Sequence, residues 1–103
     1  MKNKVEKTQE EITNEKLRRS INNRFFKVKI PLYIQFRKYC VTRSLSYDKG
    51  IREAIIKLME KDEYRYNPKY VYLYFKHYLI DKGVFSVTQG TKEAVKLILE
   101  IKD

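Results

Sequence analysis

Between residues 24 and 61 the chain changes its hydrophobic rhythm twice. In RFFKVKI, residues 24–30, Phe26, Val28 and Ile30 alternate with Phe25, Lys27 and Lys29. That period of two predicts a short strand over about 25–30, apolar on one face and basic on the other. Pro31 ends it, having no N–H to give to a ladder, and a proline is well placed to open a helix. The spacing then predicts a helix over about 32–43. Its apolar stripe is Leu32, Phe36, Tyr39 and Cys40, with Arg37, Lys38 and Arg43 outside it. After a short turn, Ser46 is an N-cap candidate for a second helix carrying Ile51, Ala54, Ile55, Leu58 and Met59 at helical spacing.

The flanks carry weaker patterns. Residues 1–23 are polar, with Val5, Ile12, Leu17 and Ile21 thinly spread. Thr8 followed by Glu11 makes a capping box, so a helix over about 9–21 is expected, marginal in isolation. The stretch reads as a basic arm, flexible or weakly helical, that orders on DNA or against the body. Beyond Asp62 the tyrosines crowd: Tyr64, Tyr66, Tyr70, Tyr72, Tyr74 and Tyr78, with Phe75 among them. YVYLYF suits a strand by alternation and residue type. Asn67–Pro68 as a start and Gly83 as a stop favour a helix ending near Lys82. Ser86 caps a last helix with Val87, Ala94, Val95, Ile98 and Ile101. The expected organisation is an arm (1–23), a central unit (24–62) and a Tyr-rich helical extension (63–103). LSYDKGIREAI (45–55) also aligns with FSVTQGTKEAV (85–95) at an offset of 40. It is either a degenerate second copy or two hairpins obeying the same capping chemistry.

Composition adds a partner to this pattern. The chain has 103 residues, enough for one domain, and a formal net charge of +10. From Lys16 to Arg43 there are nine Lys and Arg and no Asp or Glu, the footprint of a polyanion binder. The single cysteine, Cys40, rules out an intrachain disulfide, suits a reducing compartment, and reads as a buried thiol. With no apolar signal-like start and no apolar run near membrane-spanning length, the expectation is a soluble, cytoplasmic protein without membrane contact. His77 stands alone, away from Cys or carboxylate partners at ligand spacing, so neither a metal nor another cofactor is expected. No phosphate loop, nucleophile elbow or catalytic cluster argues for an enzyme.

The strand FFKVKI, the proline after it, the short basic helix and a second helix opening at Ser46 with IREAI resemble ribbon–helix–helix DNA-binding proteins, the Arc/MetJ repressor superfamily, over residues 24–62. The resemblance implies a mainly α fold in which two chains interlock and their strands pair into an antiparallel ribbon under four helices. Some forty residues bury too little apolar surface alone, which suits such a homodimer. Phe26, Val28 and Ile30 would then form the dimer core with Ile51, Ile55 and Leu58. Phe25, Lys27 and Lys29 would face base edges in the major groove of double-stranded DNA; the lesser alternative for Lys27 and Lys29 is the wet side of an edge strand. Arg24, Arg43, Ser46 and Tyr47 would hold phosphates around the second helix's N-terminus. Gly50 departs from the family, which places a bulky aliphatic residue there. The implied function is a sequence-specific, homodimeric transcriptional repressor. Alternatives are an antitoxin-like protein whose partner binds residues 63–103, or an accessory factor in plasmid partition or DNA processing. A stably folded monomer would instead favour a duplicated chain whose second half supplies the partner hairpin.

Overall fold

The structure is a computed structural model that describes residues 8–27 and 31–100, and for 24–27 the backbone alone. The described residues form five helices: α1 (Gln9–Lys27), α2 (Pro31–Thr42), α3 (Tyr47–Lys61), α4 (Val71–Asp81) and α5 (Val87–Glu100), with a 3₁₀ turn (Pro68–Tyr70) leading into α4. Among them no strand occurs.

That overturns the expected ribbon and, with it, the ribbon–helix–helix fold. The helix that starts at Thr8 runs on through Lys27. Its capping box is formed: Thr8 N–H donates to Glu11 Oε1 at 2.8 Å and Glu11 N–H to Thr8 Oγ1 at 3.1 Å. Once nucleated, a helix extends cheaply, and between Gln9 and Lys27 there is no Gly or Pro to stop it. A helix also satisfies its own backbone, whereas a lone strand needs a partner. Residues two apart do not share a helix face, so Phe25 and Lys27 cannot form the outward strand face, nor Phe26 its underside. Lys29, Val28 and Ile30, assigned to the same strand, lie outside the described residues. Residues 8–23 are not a separate arm. Ile21 is buried, Leu17 packs on the core, and α1 lies against α4 and α5.

The remaining helices form two hairpins, α2–α3 and α4–α5. Each first helix closes the same way: Leu45 N–H reaches Cys40 O at 2.9 Å and Val84 N–H reaches Leu79 O at 2.8 Å. The residue before each adopts a left-handed φ, 56° at Ser44 and 79° at Gly83. Each second helix opens on a serine whose Oγ accepts from the third amide along, Lys49 at 3.2 Å and Gln89 at 3.1 Å. First helices correspond at an offset of 39 and second helices at 40, the extra residue being Phe85, which stands out in solvent. YVYLYF lies in the 3₁₀ turn and α4, as its start and stop signals indicate.

The hairpins pack as mates. α3 lies against α5 at the centre, α2 packs on α5, and α4 packs on α3. Gly50, Ile51, Ala54, Ile55 and Leu58 are buried on α3; Gly90, Thr91, Ala94, Val95 and Ile98 are buried at the matching positions of α5. Phe36 and Cys40 of α2 match Phe75 and Leu79 of α4. The contacts are reciprocal, α2 on α5 as α4 on α3, the pattern that an approximate two-fold gives. Ile51, Ile55 and Leu58, expected in a core shared by two chains, are thus buried inside one. The second hairpin covers the apolar surface that the first is too small to bury alone.

Gly50 now has its reason. A Cβ there would sit 2.6 Å from Cys40 Sγ and 2.8 Å from Phe36 Cζ, and at Gly90 one would sit 2.5 Å from Leu79 Cδ1. The glycines let α2 and α4 close onto their partner helices, and a bulky residue at 50 has no room. Burial pushes the Cys40 thiol up to about 11 and, with Asp48 and Asp62 beside them, raises the Tyr72 and Tyr78 hydroxyls above the ordinary phenol. All three are neutral acids that hold their protons more tightly when folded. Stability should therefore be intact at neutral pH and fall as pH rises from the ordinary thiol value of 9.0 through about 11. Urea midpoints at pH 7, 9 and 11 will show this decline. A thiol reagent at pH 8 should leave Cys40 unmodified in the folded protein and react fully once urea unfolds it.

Candidate nucleic-acid interface

Of the two helices that begin the hairpins, α2 shows the more strongly basic face to solvent. α2 opens at Pro31 and turns Phe36 and Cys40 inward. Its other side carries Ile34 and Val41, 54% and 70% exposed, with Arg37 and Lys38 between them. Ile34, Arg37, Lys38, Val41 and Thr42 line a shallow groove of about 430 Å³. Arg43 follows in the turn, and Glu100 from the end of α5 borders the far side beyond Lys38 and Arg43.

Tyrosines hold the arginines of this face. Arg37 Nε donates to Tyr47 OH at 3.0 Å, and its guanidinium lies 5.8 Å from the Tyr33 ring and 6.0 Å from the Tyr47 ring. Arg43 sits 4.4 Å from the Tyr39 ring. Stacking leaves most of a guanidinium's five N–H donors available while fixing its plane. Among the described residues neither these arginines nor Lys38 is in an ion pair.

Three cations elsewhere are tied to carboxylates. Arg18 bonds Glu15 and reaches Asp48 at 3.3 Å, Arg19 reaches Glu15 at 3.5 Å, and Lys82 donates to Asp62 at 2.7 Å. The Lys82 ammonium, then the Tyr78 hydroxyl, hold the Asp62 carboxyl below the ordinary carboxylate. The tyrosine cluster is spent in the same way. Tyr64, Tyr66, Tyr72 and Tyr78 donate to Asp81, Glu60, Asp48 and Asp62, with distances of 2.6–3.3 Å. Their rings pack on the core, which leaves no row of flat rings open for stacking bases.

No protein family, curated protein or solved structure matches this chain.

Of the residues expected to contact DNA, Arg43, Ser46 and Tyr47 come together at the α2–α3 turn. Ser46 Oγ is engaged as the cap of α3, and Asp48 adds a negative charge to that helix's first turn. Arg24 lies on α1, its side chain outside the described set. Arg37 and Lys38, left unassigned by the strand-centred reading, stand on an exposed helix face. The signal for them was present: a first helix without any acid whose cations, with Ile34 and Val41, fall outside its apolar stripe. Among the described residues no three His, Cys, Asp or Glu gather to hold a metal, and no helix is long and apolar enough to cross a membrane.

Proposed function

We propose that this protein binds double-stranded DNA through the outer face of α2 and the turn after it, and that by occupying DNA it regulates transcription. The observation that carries this reading is the clustering of Arg37, Lys38 and Arg43, outside any ion pair among the described residues, on α2 and the turn after it, where residues 31–47 hold no acid, in a chain of net charge +10. Cations held by aromatic rings meet phosphates with little ordering left to do, and releasing the duplex's counterions drives association. Ile34 and Val41 give the same face apolar groups of the kind that touch thymine methyls, so sequence is read there by shape and apolar contact. Phosphate contacts position the protein and contacts of this second kind discriminate.

The test is a salt titration. Each phosphate contact contributes about −0.9 to the slope of log affinity against log salt, so replacing Arg37, Lys38 and Arg43 together by Ala should flatten the slope by about 2.7. Circular dichroism should show the triple variant folded, since all three residues are exposed. An unchanged slope would remove α2 from the interface. Selection from a random duplex pool should enrich one sequence, and Ile34→Ala with Val41→Ala should erase that enrichment. A pool that stays random would leave DNA binding standing and end the regulatory reading.

A further inference from the structure

We infer that α4 carries a second duplex-binding face, so that a single chain is bivalent for DNA. This rests on the reading of α2 as the first such face. α2 and α4 correspond at an offset of 39, and the correspondence extends past the buried positions to the outer ones. Arg37 matches Lys76, Lys38 matches His77, and Val41 matches Ile80, all of them exposed. Ile34 matches Leu73, which is half-buried because Asn14 of α1 bonds its amide. The ring-held cation recurs as well: Lys82 lies 5.5 Å from the Tyr78 ring, as Arg43 lies 4.4 Å from the Tyr39 ring.

Neither shared capping chemistry nor the demands of a core explain this recurrence. Core positions recur because they pack. Exposed positions are free to drift, yet here they keep a basic or imidazole pair followed one turn later by an exposed aliphatic. The two faces are unequal. Lys82 is engaged by Asp62, Asp81 lies beside Ile80, and an imidazole replaces an ammonium at His77. The α4 face is therefore the weaker of the two.

A duplex of about one helical turn is short enough to occupy one face at a time. Titration of the full chain with such duplexes, followed by sedimentation velocity, should saturate at two duplexes per chain, in two steps. Lys76→Ala with His77→Ala should leave one duplex, bound with the affinity of the tighter step. Arg37→Ala with Lys38→Ala should also leave one, bound with the affinity of the weaker step. Lys57→Ala with Lys96→Ala removes charge elsewhere and should leave two. Saturation at one duplex, untouched by the changes at 76 and 77, would overturn the second face while α2 kept its role. Failure of the wild-type chain to bind any duplex would instead overturn the DNA-binding reading itself. Loss of a duplex in the Lys57 and Lys96 variant would reduce the effect to bulk charge and overturn the second face too.

Discussion

Phe75→Ala should cost about 3–5 kcal/mol, the range for emptying a buried phenylalanine site, out of a total stability of about 5–15 kcal/mol. Phe75 has no exposed surface and stacks on Tyr78 with ring centres 6.1 Å apart; Tyr78 in turn meets the Tyr64 ring edge-on at 5.2 Å. The cavity therefore opens inside an aromatic stack whose members are fixed by hydroxyl bonds to Asp62 and Asp81, which resist collapse. Phe36→Ala should cost nearly as much. It occupies the matching place under α2, equally buried, and stacks on Tyr39 at 6.4 Å. Because α3 and α5 belong to both hairpins' packing, each change should lower one cooperative urea transition. Far-ultraviolet dichroism and tyrosine fluorescence should then report the same midpoint. Two separated transitions, one hairpin melting while the other stands, would contradict the shared core.

Asp48→Ala should be the next most damaging single change. One carboxylate accepts from Asn22 Nδ2 at 2.9 Å, from the Tyr72 hydroxyl at 3.3 Å and from Arg18 at 3.3 Å, joining α1, α4 and α3 at one point. The Arg18 pair is partly exposed and adds little by itself. The Tyr72 hydroxyl belongs to a side chain that is 4% exposed, and stranding it while losing the Asn22 bond should cost about 2–3 kcal/mol. Much of the loss should fall on α1, where Ile21 is the one fully buried apolar residue among the described side chains. Amide exchange along residues 9–23 should accelerate toward that of a free peptide while α3 and α5 stay protected. Asp48→Asn, which still accepts from Tyr72, should restore part of the protection. If α1 exchanged no faster in Asp48→Ala, the helix would be held by its apolar contacts and not by this carboxylate.

Legibility in the sequence followed the range of the physics involved. The capping box at Thr8, the serine caps at 46 and 86, and the stop at Gly83 depend on neighbours within four residues, and each could be read directly. The apolar stripes of α2, α3 and α5 were legible for the same reason. The ribbon was not, because RFFKVKI alternates like a strand, yet its described residues, 24–27, continue a helix that began fifteen residues earlier. Periodicity in a seven-residue window does not contain that history. The repeat at an offset of 40 was visible, but its meaning lay in how Gly50 and Gly90 admit Phe36, Cys40 and Leu79, a matter of distance in space. Within the candidate site, the cations of α2 were visible as residues outside the stripe. What hid their standing was the pairing elsewhere: Arg18, Arg19 and Lys82 look the same in sequence and are tied to acids in the fold.

Asn14 caps α4 from 59 residues away, its Oδ1 accepting the Leu73 amide at 2.9 Å. A growing chain meets this bond in an awkward order. α1 is made first, but the amide it serves is added only after about 3–12 s of further synthesis at ordinary translation rates of about 5–20 residues per second. Until then α1 is a polar helix of marginal stability, with Asp48 of α3 in place for Arg18 and Asn22 but α4 and α5 still missing. The second hairpin, made after α1, completes the core and receives it, so α1 is the last of the five helices to settle.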